Sequence, residues 1–281
     1  TSIPYIWGPI GSNSTIAKEF LPSWKDFIID RVGALFRSCM RLTDPLYWLS
    51  CLRARTVLVI NRQSQNIVPL RWIAGQKTRI EPAIGVEEIK SADDQRDGDA
   101  FNILFVGRFI SIKQPNLALD SFAEIAPKIS RACLTLLGEG PQEQNLRKKV
   151  QQYGISNQVR FISWLPHEEA ISLIQKCNVL LFPSMEGGGM VVLEALAAGK
   201  PVVSLDCGGP GEFVNNECGI KIPLTHRARS VRDLSRALQT LANQPDLRRC
   251  FAEGARRRVM DFTWEKKGEF IDRIYSEIGK R

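Results

Sequence analysis

Two carboxylates flank three glycines in the stretch PSMEGGGMVVLEALAAGKPVVS, Pro183 to Ser204. Glu186 precedes Gly187, Gly188 and Gly189, and Glu194 follows them. The residues from Met190 through Val191 to Ala197 are apolar on every side apart from Glu194, so the helix they predict is a buried one. An ionised carboxylate inside it is costly unless something donates hydrogen bonds to it. On a helix extended back to Glu186, the two carboxylates stand roughly 12 Å apart at a rise of about 1.5 Å per residue. That exceeds the ~5 to 9.5 Å of paired glycosidase carboxylates and suits the two hydroxyl-rich ends of one elongated ligand. Glycines in between let backbone N–H groups approach a ligand closely, and a helix N-terminus favours an anion such as phosphate. Phosphate between two hydroxyl-bearing groups describes a nucleotide sugar. The same residues also read as a Gly-rich turn, a glutamate complementing the helix dipole and a core glutamate paired with an arginine. The residues alone leave both readings open.

The elements that must position this stretch alternate. Strands are predicted over 101–107, 133–138, 159–163, 179–184 and 201–205, with helices over 114–126, 141–154, 167–177 and 189–199 between them. Short apolar strands alternating with helices imply a doubly wound parallel sheet covered on both faces. Pro141 is read at a first helical position, and Gly154 and Gly199 as left-handed caps after helix ends. The tail from about Ser230 reads as three helices. Residues 1–85 differ, with a strand at "IPYIWG", long helical stretches over 18–42 and 44–55, and short strands at "TVLVI" and "TRIEPAIG". This is too little for a complete sheet of its own and reads as the second half of an α/β domain whose first half is missing. The domain division that follows is 1–85, a polar linker within 86–100, a nucleotide-binding domain over 101–260 and a final helix over 261–281 returning toward the first domain. Thr1 leads straight into "SIPYIW", as in a fragment or processed product.

Composition narrows the function. The chain of 281 residues is 44% hydrophobic and 24% charged, an ordinary globular balance, and no apolar run approaches the ~18 residues of a membrane-spanning helix. Seven scattered cysteines without a C-x-x-C pair read as buried thiols of a reducing, cytoplasmic compartment. The two histidines, His167 and His226, lie far apart beside charged residues and read as solvated side chains, which argues against a His-based metal site or triad. A net charge of +8 points to an anionic partner. The basic residues are dispersed apart from Arg256 to Arg258 and lack aromatic interleaving, so nucleic acid is not the expected one. Residues 14–55 mix Trp24, Phe27, Ile28, Phe36, Tyr47 and Trp48 with Lys18, Lys25, Arg31, Arg37, Arg41, Arg53 and Arg55. That mixture suits either a helix packed on a core or one lying on an anionic membrane face.

Pro183 to Ser204 resembles the donor-site motif of the retaining glycosyltransferases of family 4, which have the GT-B fold of two facing Rossmann-like domains. The match is carried by Glu186, Glu194, Ala195, Gly199, Pro201, Val202 and Val203. "VGRF" with Lys113 downstream, "LLGEGPQEQNL", "VRFISWLP", "CGGPGEFV" and "FTW" with Tyr275 extend it. The resemblance covers residues 101 to 281, and "PYIWGPIGS" is similar to a glycine turn on the acceptor side of some members. It implies that Arg108 and Lys113, following Gly107, hold a diphosphate. Glu186 with the Gly187 to Met190 amides would hold the donor sugar, Glu194 the ribose hydroxyls, and Trp164 and Leu165 would border the base. Gly188 stands where many relatives have Phe, and "GPIG" occupies the strand end where many carry a His of the catalytic region. The expected activity is metal-independent transfer from a nucleotide-diphospho-sugar to a glycan or lipid-linked glycan, with no cofactor. The alternative is a nucleotide-sugar-binding module of the same fold that has lost catalysis.

Overall fold

The computed structural model describes residues 3–11, 15–67, 70–87 and 100–279. The polar stretch from Lys90 to Asp99, expected as a linker, lies outside them.

Three parallel strands in sequential order, β1 (Ile6–Ile10), β2 (Thr56–Val59) and β3 (Thr78–Ile80), form the first sheet. Helices α1 (Trp24–Thr43) and α2 (Pro45–Arg53) connect β1 to β2, and a short α3 (Leu70–Ile73) precedes β3. The continuous helix expected over 18–42 is interrupted. Pro22 and Ser23 separate a single turn at Lys18–Phe20 from α1, and the Ser23 hydroxyl accepts from the Asp26 N–H to start the longer helix. Asp44 does the same for α2 by accepting from Leu46 N–H, with Pro45 at the first helical position. The strand expected over 78–85 stops at Ile80, because Pro82 has no N–H for the ladder. Val57 and Val59 point into a cluster with Cys51, Ala54 and Leu70, while Leu58 faces the other way.

The second sheet has six parallel strands in the order β6-β5-β4-β7-β8-β9: β4 (Phe101–Val106), β5 (Ala132–Leu137), β6 (Val159–Ile162), β7 (Val179–Phe182), β8 (Val202–Leu205) and β9 (Gly219–Ile222). Helices α4 (Pro115–Ala123), α5 (Glu143–Gln152), α6 (His167–Lys176), α7 (Met190–Ala197) and a short α8 (Gly208–Phe213) connect them. α9 (Arg227–Asn243), α10 (Pro245–Val259) and α11 (Trp264–Gly279) complete the chain. Alternation along the strands builds both faces. Phe101, Ile103 and Phe105 of β4 with Val179 and Leu181 of β7 enter one cluster, and Leu104, Leu180 and Phe182 enter the other. The doubly wound expectation is met. The β9 strand and α8 were not read from the sequence, and the first tail helix begins at Arg227 rather than near Ser230.

Local signals fared unevenly. Gly154 and Gly199 both hold φ of 67° just past their helices, as expected of left-handed caps. Pro141 does not start α5, which begins at Glu143, whereas Pro45, Pro115 and Pro245 start α2, α4 and α10. Cys39 and Cys250 are exposed and Cys133 half-buried, so only four of the seven free thiols match the buried expectation. Burial pushes the Cys177 and Cys207 thiols up to about 12.

The two sheets are tied by α11 and by an isolated parallel bridge from Val86 to Thr263. Val86 N–H donates to Phe262 C=O at 3.1 Å, Ile274 and Ile278 of α11 pack on Leu58, and Lys267 pairs with Glu81. Along α1, by contrast, Ile28, Ile29, Val32, Leu35, Phe36 and Met40 are exposed, a stripe at helical spacing.

Asp120 on α4 joins three elements, accepting from Lys149 at 2.9 Å, from Tyr153 at 2.9 Å and from Arg227. Burial pushes its carboxyl up, but the hydrogen bonds from Arg227 and Lys149 outweigh burial and hold the group below the usual carboxylate range. Its contribution to stability is therefore present above the unfolded value near ~3.9 and is lost as pH falls through the folded value. Asp120→Asn should destabilise the chain by about 2 kcal/mol at neutral pH, short of the ~3 to 5 for a fully buried pair because both cations keep some solvent. Denaturant unfolding across pH checks this: the gap between the two proteins should close below about pH 4.

Candidate active site

The strand order reverses between β4 and β7, whose connections leave in opposite directions. A crevice therefore opens beyond their carboxyl ends, where ligands bind in sheets of this kind. Gly107 and Arg108 follow β4 there, and Glu186 to Gly189 follow β7. Gly107 holds φ of 151°, a backbone open to glycine. Its N–H donates to Leu137 C=O at 2.9 Å, so the turn leaving β4 stays in register with β5.

The two segments are sewn together. Met185 N–H donates to Ile112 C=O at 2.8 Å, and the buried Ser184 hydroxyl donates to the same carbonyl at 3.2 Å while accepting from Glu186 N–H at 3.2 Å. Gln114, in a left-handed conformation at φ of 56°, is held by its side-chain amide, which donates to Phe20 C=O and Ser111 C=O. This fixes the single turn carrying Lys113. The Lys113 ammonium pairs with the Glu186 carboxylate and stands 5.2 Å from the Phe182 ring centroid. Arg108 is exposed at the same strand end.

Helix α7 starts with Gly189 as its N-cap, at φ of 126°, with no side-chain cap among the described residues. The extended helix imagined back to Glu186 is not formed; Gly187 and Gly188 are a bend ahead of it. Behind them packs α8. Gly209 N–H donates to Glu186 C=O at 2.9 Å, and a Cβ on Gly209 would lie 1.5 Å from Gly188 O, so only glycine lets these chains meet. Val191 is half-buried and Met190 exposed at the helix start.

Glu194 has the partner its burial demands, and it is a histidine rather than an arginine. His167, the first residue of α6, places Nε2 3.0 Å from Glu194 Oε1, with side chains 74% and 17% exposed respectively. His226 accepts from Arg229 N–H and caps α9. Neither histidine is merely solvated, as the sequence reading had it. Trp164, 73% exposed, and the half-buried Leu165 lie on the segment that leads from β6 to His167.

Sequence reasoning missed the residues that come from the first sheet. Asn61, fully buried just past β2, donates to Gly187 C=O at 3.4 Å. Arg62 donates to Glu212 through Nε at 3.0 Å and through its backbone N–H at 2.9 Å, and to Asp206 at 3.0 Å. Lys221 joins Asp206 at 3.2 Å. The available signal was a polar pair directly after the apolar strand "TVLVI". Among the described residues no group of three or more His, Cys, Asp or Glu side chains could hold a metal ion, and no helix is long and apolar enough to cross a membrane.

Residues 86–258 match the sequence profile of the family Glycosyl transferases group 1. An uncharacterized glycosyltransferase of Methanocaldococcus jannaschii is 30% identical over 186 residues, 65% of this chain and 50% of that protein. A D-inositol 3-phosphate glycosyltransferase of Saccharomonospora viridis is 28% identical over 218 residues, 74% of this chain and 47% of that protein. The chain thus spans about half the length of these curated relatives. Among solved structures, Anabaena HepE in complex with UDP superposes with a TM-score of 0.69 at 20% identity, over 82% of this chain and 65% of that one. The likeness shows the shared α/β fold of the GT-B type. With its crevice at the β4–β7 reversal and its profile match over that whole sheet, the chain belongs to the glycosyl transferases group 1 family.

Proposed function

We propose that the crevice binds a nucleotide-diphospho-sugar and that the protein transfers the sugar to a glycan or lipid-linked glycan with retention of configuration, as a family 4 enzyme. One observation carries this reading: the Lys113–Glu186 pair and the uncapped start of α7 converge beyond β4 and β7. In transfer, the bond from the anomeric carbon to the diphosphate oxygen breaks and the acceptor oxygen takes its place on the same face, its proton passing to the departing diphosphate. Negative charge grows on the leaving diphosphate. Arg108, Lys113 and the α7 N-terminus are the groups available to stabilise it without a metal ion. Glu186 and the Gly187 to Met190 amides then face the sugar, and Glu194 the ribose hydroxyls, with Trp164 and Leu165 bordering the base. His167 takes one lone-pair direction of Glu194 Oε1 and leaves Oε2 for the ribose. The exposed apolar stripe of α1, flanked by Lys25, Arg37 and Arg41, supports a lipid-linked acceptor approached at a membrane surface.

A thermal-shift screen of UDP, GDP and ADP should single out one nucleotide, since a ligand binding only the folded chain stabilises it by mass action. With that nucleotide, calorimetry should show Glu194→Ala weakening binding by about tenfold or more. His167→Ala should weaken it less and His167→Gln should restore it. Glu186→Ala should leave nucleotide affinity close to wild type. Unchanged affinity in Glu194→Ala would refute the ribose assignment.

For the chemistry, Arg108→Ala or Lys113→Ala should cut donor turnover by roughly 10²-fold while changing donor affinity far less, because these cations act most on charge that develops in the transition state. Equal losses in both quantities would reduce them to binding groups. Chelator should leave the rate unaltered, and a strict Mg²⁺ requirement would overturn the metal-free reading.

A further inference from the structure

The opposite end of β2 carries a second feature that the donor reading does not use. A recess of about 800 Å³ opens there between the end of α2, the start of β2, the approach to β3 and the last turn of α11. Arg53, Arg55, Lys77 and Arg79 line it, with Thr56 and Gln76 between them, and Glu277 is the one carboxylate. Arginine and lysine side chains donate hydrogen bonds and accept none, so this lining is dominated by donors. Glu277 does little to balance it: its oxygen stands 4.0 Å from Arg79, with both side chains about 60% exposed.

Two of the cations have work within the fold. Lys77 donates to Leu52 C=O at 3.0 Å, satisfying a carbonyl at the end of α2, and Arg53 lies in the last turn of that helix, where a cation complements the dipole. Among the described residues Arg55 and Arg79 have no such role within the fold, Arg79 meeting only the exposed Glu277. A concave surface of one sign focuses its potential and gathers counter-ions, and planar guanidinium groups meet phosphate oxygens in pairs.

We propose that this recess is a binding site for a phosphate-bearing anion, distinct from the donor crevice. The placement separates the two. Thr56, at the amino end of β2, lines the recess, whereas Asn61 and Arg62, past the carboxyl end of the same strand, touch the Gly187 and Glu212 segments. An anion in the recess therefore lies across the first sheet from the Lys113–Glu186 pair and does not share its ligand. The phosphate can be carried by a soluble molecule or by a lipid headgroup, and the site chemistry is the same for both.

Calorimetric titration of the 281-residue chain with pyrophosphate at low salt tests the site, using Arg55→Ala/Arg79→Ala and, separately, Lys113→Ala. Those two arginines are chosen because their loss leaves the α2 terminus intact, and circular dichroism with thermal melts verifies the fold. The wild-type chain and Lys113→Ala should both show saturable binding in the recess, and the double variant should lose it by about tenfold or more, which is ~1.4 kcal/mol. Sodium chloride at equal ionic strength should produce no saturable heat. Absence of binding, binding unchanged in the double variant, or binding abolished only by Lys113→Ala would overturn the proposal. Co-sedimentation with phosphatidic acid vesicles that needs Arg55 and Arg79 assigns the phosphate to a lipid. Pyrophosphate binding without such co-sedimentation assigns it to a soluble anion.

Discussion

The reversal of strand order between β4 and β7 is the constraint on which the rest depends. Parallel strands place all their carboxyl ends on one edge, and connections leaving in opposite directions from adjacent strands keep that edge clear at one point. Every group assigned to the donor lies on segments that begin at this edge. Arg108 and Lys113 leave β4, Glu186 and the glycines leave β7, and His167 follows β6. A side chain at this position needs little further precision from the loop, because the strand ends are fixed by buried residues such as Phe105, Leu181 and Phe182.

Close chain approach then sharpens the site. Glycine at Gly209 lets α8 press against Gly188, and the Gly209 N–H holds the Glu186 carbonyl. The run "EGGGM" and the run "CGGPG" are thus two halves of one contact, made because Gly208 and Gly209 carry no Cβ where they meet Glu186 and Gly188. The cost of flexible glycine backbone is offset by hydrogen bonds on both sides. Asn61 adds one from the first sheet, and its own Oδ1 is occupied by Ser64 N–H and hydroxyl, which leaves its NH₂ directed at Gly187.

The sequence made the second sheet legible because its signals are local. Strand alternation, helix caps at Gly154 and Gly199, and the burial of α7 can each be seen within a short window. The demand that Glu194 have a partner could also be read, since an apolar helix leaves a carboxylate no other choice. Its identity could not, because His167 is brought to it by the packing of α6 beside α7 and not by any spacing. The same limit hid Arg62, whose partners Asp206 and Glu212 are more than a hundred residues away. The first sheet was less legible for a different reason. All three of its strands can be seen, but the breaks at Pro22 and Pro82 cut elements that the pattern alone extends, and α1 carries an apolar stripe that nothing in the described residues buries.

The contacts from Asn61 and Arg62 give the two sheets a specific mutual arrangement rather than a general adhesion. Surface ion pairs contribute little singly, but Arg62 engages two carboxylates and the Gly211 carbonyl at once, and Lys221 shares Asp206 and that same carbonyl. Such a network is geometrically demanding, so a small rotation of one sheet against the other breaks several bonds together. Burial of α11 against Leu58 resists separation without fixing orientation, since apolar contact is non-directional. Direction comes from the polar groups, and they act on the segments that frame the crevice between β4 and β7. The first sheet and the glycine loop are therefore coupled directly, since the residues that follow β2 hold Gly187 and the α8 segment behind it.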